Sequence, residues 1–156
     1  AKTKKKPSLK KLVTAAKAAL EDGKYKKVVN KLTEGLKDRE GAKVDTIYSA
    51  LVCLGTAALP LGRHAEAQEA LREAVSLFPD KLRAWRMTVT LHEQLDPPPA
   101  LAKRLAALEQ YAKLAKKKGG ERYATAATSL AGIYLEAKRP ADALSALDGI
   151  DEKDIE

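Results

Sequence analysis

The 156-residue chain carries 29 Lys and Arg against 21 Asp and Glu, a formal net charge of +8, and has a single cysteine. One cysteine excludes an intrachain disulfide and suits a reducing compartment, so we expect a cytoplasmic protein. We expect no membrane association, because the sequence has no apolar run of about 18 residues and its first residues lack the apolar core of a signal peptide.

The first seven residues form a predicted flexible basic arm. Residues 1–43 contain 14 Lys and Arg but only 5 Asp and Glu, so the positive charge is concentrated at this end. Lysine clusters favour polyanions such as nucleic acid, an anionic membrane or an acidic peptide. The alternative is a solvated terminus that only keeps the protein soluble. The candidate polyanion-binding residues of the arm are Lys2, Lys4, Lys5 and Lys6.

A first helix is predicted from Leu9, where apolar residues begin to recur at three- and four-residue spacing. Ser8 is a suitable N-cap, and Asp22 with Gly23 ends the helix. A second helix follows the Gly23-Lys24-Tyr25 turn, and about five extra residues lie near positions 41–43. Residues 9–47 are therefore predicted to form one helical hairpin.

Residues 48–81 carry the strongest pattern in the chain. With Tyr48 as position 1 of a 34-residue unit, Leu54-Gly55 occupy positions 7 and 8, Ala67 position 20, Ala74 position 27 and Pro79 position 32. Small residues at those positions let two helices approach closely, and the proline ends the second helix. The spacing resembles that of the tetratricopeptide repeat (TPR) family, whose unit is a pair of antiparallel helices.

The same register extends over the chain. It predicts units at about 9–47, 48–81, 82–123 and 124–156, and hence an all-α, right-handed TPR solenoid of about eight helices that forms a single array over residues 8–156. The third unit departs from the pattern, because Val89 takes position 8 and three prolines, 97–99, replace the tight turn. We expect a long helix at 100–118, closed by two glycines. The fourth unit has no polar capping helix after it, so we expect a fragment of a longer solenoid unless Ile150 and Ile155 fold back as a cap.

Resemblance to the TPR family implies a partner-binding groove lined by the first helix of each unit. Transferring the inward positions of the family onto this sequence makes the groove basic, with little acid to compensate. We expect it to bind an extended acidic segment or a carboxylate; the alternative is that Arg83 and Arg86 lie over acidic neighbours such as Asp80 and Glu93. The candidate groove residues are Lys10, Lys17, Thr56, Arg83, Arg86 and Thr90. The clamp that binds chaperone tails in this family is broken, because its sites hold Val13, Lys17 and Cys53.

Residues suited to catalysis are scarce. Cys53 falls inside a predicted helix and is expected to be buried. His64 and His92 lack a second ligand at metal-binding spacing, and Asp96 stands where a zinc-protease helix would need a histidine. We therefore predict no enzymatic activity, no metal and no cofactor.

A narrower resemblance covers about residues 9–95. Gly23-Lys24-Tyr25, Leu54-Gly55-Thr56-Ala57 and Pro79-Asp80-Lys81-Leu82-Arg83-Ala84-Trp85, followed by the proline-rich break, occur in an order similar to the N-terminal arm of the TPR scaffold family of the cytosolic Ski (superkiller) complex. That resemblance implies a scaffold in exosome-linked RNA decay, with Ski-complex or exosome-bridging subunits as partners.

Two classes of function remain open from the sequence. The first is a protein-interaction scaffold, of the Ski type or a generic TPR adaptor for acidic peptides. The second is a nucleic-acid-contacting module that uses the lysine-rich arm. No aromatic residues are interleaved with these lysines, so the stacking platforms of single-strand binding proteins are missing from the arm.

Overall fold

The computed structural model describes residues 6–151. This part of the chain is all-α and contains eight helices and no strand. The helices are α1 (Leu9–Glu21), α2 (Tyr25–Gly35), α3 (Val44–Ala58), α4 (His64–Leu77), α5 (Leu82–Gln94), α6 (Leu101–Lys118), α7 (Glu121–Glu136) and α8 (Pro140–Asp148). The predicted helix number and the all-α class are confirmed.

Three of the predicted helix boundaries are confirmed. The Ser8 hydroxyl accepts a hydrogen bond from the Lys11 backbone N–H, so Ser8 caps α1 as expected. The proline run separates α5 from α6, and α6 ends where Gly119 and Gly120 adopt left-handed backbone angles, with φ of 67° and 84°. Three lysines in the last turn of α6 lie at its electronegative end, where positive charge is favourable.

Two compact units divide the chain between Pro79 and Asp80. The first unit contains α1 to α4 and the second α5 to α8. In the first unit, α1 packs against α2 and α3, α2 packs against α3, and α3 packs against α4. Cys53 is buried in this core, as predicted. The division of the chain into four repeats of one array stays a prediction.

Two glycines of the first unit lie where helices contact each other closely. A Cβ atom on Gly35 of α2 would lie 2.5 Å from Leu12 Cδ1 of α1, and one on Gly55 of α3 would lie 2.8 Å from two carbon atoms of Leu71 on α4. Real side chains do not approach so closely. Gly55 therefore needs to be glycine for the observed packing, because Leu71 is buried, whereas a side chain at position 35 would require the end of the half-buried Leu12 side chain to shift. Gly35 and Gly55 occupy positions 27 and 8 of the predicted repeat, where small residues were expected.

In the second unit, α5 packs against α6, α6 against α7, and α7 against α8. Within the described residues α5 and α7 do not approach each other as α1 and α3 do. Val89 stands on α5 at the position that Gly55 fills on α3, and it lines the space between α5, α6 and α7. The core of this unit combines alanines of α6 and α7 with six large side chains: Leu82, Leu108, Tyr111, Leu114, Tyr123 and Leu130.

The end of the described chain packs in part on this core. Ile150 is partly buried and lies against the second-unit cluster. Ile155, the other residue of the predicted cap, lies outside the described residues. Leu135, Leu144 and Leu147 are exposed at 61%, 64% and 42%, so part of the apolar surface of α7 and α8 faces solvent.

An arginine fastens the connection between α2 and α3 to α4. The Arg39 guanidinium donates to both carboxylate oxygens of Glu73, and its Nε donates to the Leu36 carbonyl at 3.0 Å. The hydrogen bonds from Arg39 hold the pKa of Glu73 below its usual value. Both side chains are 37% exposed, which limits the strength of the pair through solvent screening.

A double-mutant cycle on Arg39→Ala and Glu73→Ala is expected to give a coupling energy of about 0.5–1 kcal/mol. Because the folded-state pKa of Glu73 is lowered, its contribution is present above the unfolded pKa and is lost as pH falls through the folded value. Urea unfolding of the four proteins of the cycle at pH 7 and pH 3 measures the coupling energy and its loss at low pH. The exposed Lys37 and Glu34 pair is the control and should show a smaller coupling. Equal coupling for the two pairs would contradict the assignment.

Candidate functional site

A groove opens at one end of the first unit, where α1 begins, α2 ends and α3 begins. Its volume is about 650 Å³. Such a volume falls within the range of sites that bind small ligands or a few side chains.

The floor of the groove is apolar. Leu9 is buried, Leu12 is half-buried, and Pro7 and Ala42 complete the surface. Leu12 lies against Gly35, because the missing side chain of that glycine leaves space for the leucine. The close packing of α1 on α2 thus shapes the floor.

Five lysines surround this floor, together with three acidic residues. They come from the segment before α1, from α1, from α2 and from the connection to α3. We call them the groove lysines: Lys6, Lys10, Lys31, Lys37 and Lys43.

The acids of the rim are largely engaged. Lys37 Nζ donates a hydrogen bond to the Glu34 carboxylate at 3.0 Å. This bond lowers the pKa of Glu34, and the positive charge of Lys6 lowers it slightly further. Asp38 Oδ1 accepts from the Glu40 backbone N–H at 3.1 Å and so stabilises the turn. Acidic residues therefore neutralise only part of the lysine charge.

Lys37 is paired with Glu34, and the positive charge of Lys6 acts on the same carboxyl. The other three groove lysines, Lys10, Lys31 and Lys43, make no ion pair within residues 6–151. All three are exposed. Lys43 is also the N-cap of α3 and makes no side-chain capping bond, so no side chain of the cap satisfies the first N–H groups of α3. The beginning of a helix carries partial positive charge, which adds to that of the lysines. The groove thus combines an apolar floor with a basic rim.

The structure brings together only some of the predicted site residues. Lys6 and Lys10 line the groove, whereas Lys17 is exposed on α1 beyond it. Lys2, Lys4 and Lys5 lie outside the described residues.

The other predicted groove residues are placed on α3 and α5. Thr56 is half-buried, and its hydroxyl donates to the Val52 carbonyl at 2.7 Å. On α5, the Thr90 hydroxyl donates to the Arg86 carbonyl at 3.1 Å. Both hydroxyls therefore already have a partner within their own helix.

The two predicted arginines differ in environment. Arg83 is exposed, and Arg86 is half-buried with an Nε that lacks a hydrogen-bond partner. Neither forms an ion pair in the described part of the chain, so the alternative that they lie over Asp80 and Glu93 finds no support in the contacts. None of the predicted α5 residues is among those that line the groove.

Lys31 and Lys43 are site residues that sequence reasoning missed. Neither occupies an inward position of the first helix of a repeat, which is where the groove was expected. The signal was the five-residue insertion near positions 41–43, because an insertion between helices widens the space at that end of a hairpin.

No group of three or more His, Cys, Asp or Glu side chains that could hold a metal occurs among residues 6–151. No helix in the same range has the length and apolar character needed to cross a bilayer. No protein-family model matches the chain, and comparison with curated proteins finds no similar one.

Proposed function

We propose that the chain is a TPR-type helical-repeat scaffold and that the groove of its first unit binds an acidic segment of a partner protein. The observation that carries the proposal is the meeting of three unpaired lysines, Lys10, Lys31 and Lys43, around an apolar floor. Carboxylates of the partner would accept charge-assisted hydrogen bonds from the lysines, and one apolar side chain would cover Leu9 and Leu12.

The packing of the first unit supports the repeat part of the proposal. In a TPR-type array each first helix contacts its own second helix and the first helix of the next unit. The contacts of α1 with α2 and α3, and the glycines at the α1–α2 and α3–α4 contacts, agree with that arrangement. We propose further that α5 to α8 form two more repeats and that the whole chain is a solenoid.

The resemblance to the Ski-complex scaffold gives the proposal a cellular setting. In that setting the partner would be a cytosolic helicase or exosome-bridging subunit, and RNA contact would be indirect. The groove favours protein over nucleic acid, because none of its lining residues is aromatic and no platform for base stacking exists there.

Fluorescence anisotropy tests the proposal directly. The probe is a labelled twelve-residue peptide that alternates Glu and Leu, compared with a peptide in which Gln replaces each Glu. We expect the acidic peptide to bind at least tenfold more tightly at low salt, with a preference that weakens as salt rises.

Binding of an RNA oligomer with the same net charge as the acidic peptide is measured in the same way, to test whether the protein is instead a nucleic-acid-contacting module. Equal binding of the two peptides would overturn the proposal. So would tighter binding of RNA that depends on residues 1–7, since this would assign the lysine arm to nucleic acid.

A further inference from the structure

A second cavity lies wholly within the second unit, between α5, α6 and α7. Its volume is about 310 Å³. It exists where α5 and α7 do not pack directly. Val89 of α5, Leu108 of α6 and Ile133 of α7 give it apolar walls, and His92, Glu93 and Ser129 add polar groups.

His92 is the unusual member of this wall. Its side chain is only 7% exposed, and Nδ1 is buried without a hydrogen-bond partner. Buried polar atoms are paired in nearly all native structures, so an unpaired one points to a missing partner. His92 makes no side-chain hydrogen bond within the described residues, so no protein partner holds the imidazole in one orientation.

The surroundings of His92 favour the neutral imidazole. Burial lowers the pKa of His92, and the positive charges of Lys103 and Arg104 on α6 lower it further. A neutral imidazole has one nitrogen that donates and one that accepts. The cavity therefore presents a hydrogen-bonding group without a net charge.

The surrounding charges favour an uncharged occupant. Arg104 already donates to the Pro99 carbonyl at 3.1 Å and to both carboxylate oxygens of Glu136 at 3.0 and 3.3 Å. Its charge is thus balanced by Glu136. Glu93 also lines the cavity and would repel an anion.

We propose that this cavity binds a phenol group, with the ring between the apolar walls and the hydroxyl hydrogen-bonded to His92. A hydroxyl both donates and accepts, so it matches either tautomer of the imidazole. The volume is sufficient, since an apolar cavity of about 150 Å³ holds a benzene ring. The phenol can belong to a free small molecule or to a tyrosine side chain of a partner.

Methyl NMR on the whole protein tests the proposal, with p-cresol and toluene as probes. The methyl signals of Val89, Leu108 and Ile133 report occupancy. We expect p-cresol to bind at least tenfold more tightly than toluene, because only p-cresol bonds to His92. Equal affinity, or no shift up to the solubility limit of p-cresol, would overturn the proposal.

Two variants test whether the preference for p-cresol over toluene depends on the His92 imidazole. His92→Phe keeps a ring of similar size and should remove the preference for p-cresol, whereas Glu93→Gln at the rim should retain it. A His92→Phe variant with an unchanged preference would overturn the proposal. The imidazole ¹⁵N shifts of the wild-type protein give a second readout that needs no variant: they should move with p-cresol and not with toluene, and unmoved shifts at saturation would overturn the proposal.

N-acetyltyrosinamide distinguishes the two sources of the phenol. Affinity close to that of p-cresol supports a tyrosine side chain, since the cavity then tolerates a peptide backbone. Affinity at least tenfold weaker supports a free phenol. The cavity belongs to the second unit, so these results and those on the groove of the first unit are independent.

Discussion

Gly55→Val is expected to lower the free energy of unfolding of the first unit by about 2 kcal/mol or more. A Cβ atom at this position would lie 2.8 Å from Leu71 Cγ and Cδ2. Leu71 is only 1% exposed and is enclosed by the core, so it cannot move aside without displacing its own neighbours. Urea unfolding followed by circular dichroism measures the loss.

Gly132→Val is the matched control. Gly132 also lies inside a helix, but a Cβ atom there meets nothing within 4 Å. Both variants replace glycine by valine inside a helix, so the change in intrinsic helix propensity is the same. The free energy of unfolding should therefore change by no more than about 0.5 kcal/mol in Gly132→Val. The only tryptophan, Trp85, packs on the second-unit core, so its fluorescence follows the environment of that core. Similar losses for both variants would contradict the close approach of α3 and α4.

Reversal of the three unpaired groove lysines should have the largest effect on binding. We expect Lys10→Glu, Lys31→Glu and Lys43→Glu together to lower the affinity for the acidic peptide by at least about a hundredfold. Each exposed contact contributes about 0.5–1 kcal/mol, and reversal adds repulsion of similar size. Folding should be retained, because all three side chains are exposed and two of them lie at the beginning of helices, where glutamate is favourable.

The matched control changes three exposed lysines of the same unit that lie outside the groove: Lys24, Lys26 and Lys27. Their reversal changes the net charge of the protein by the same amount. Affinity for the acidic peptide should then fall by no more than about threefold, since distant exposed charges are screened. Equal losses in the two triple variants would show that binding follows net charge and not the groove.

The helices were predictable because their signals are local. Ser8 caps α1, the proline run separates α5 from α6, and Gly119 ends α6, and each of these effects depends on a few neighbouring residues. The close contacts at Gly35 and Gly55 were also predictable, since a repeat of fixed length states where two helices must approach. The beginning of α3 at Val44 shows the limit of the repeat register, which marked Tyr48. Lys43 is extended and Asp45 favours the first turn, so the helix begins one turn earlier.

The site was less predictable because it depends on contacts between distant segments. The groove lysines come from four segments of the chain, and only Lys6 and Lys10 belonged to the predicted set. The Arg39 and Glu73 pair joins residues 34 positions apart in sequence, so no local sequence pattern could predict this ion pair. His92 was considered only as a metal ligand, whereas its buried and unpaired Nδ1 appears only once α6 is packed against α5.

The most direct test of the account is an amide NMR map of the whole protein titrated with the acidic peptide. We predict that the largest shifts occur around Lys10, Lys31 and Lys43, saturate with the peptide, and are absent with its Gln counterpart. Largest shifts around Arg83 and Arg86 on α5, or none outside the basic arm, would contradict the assignment of the groove.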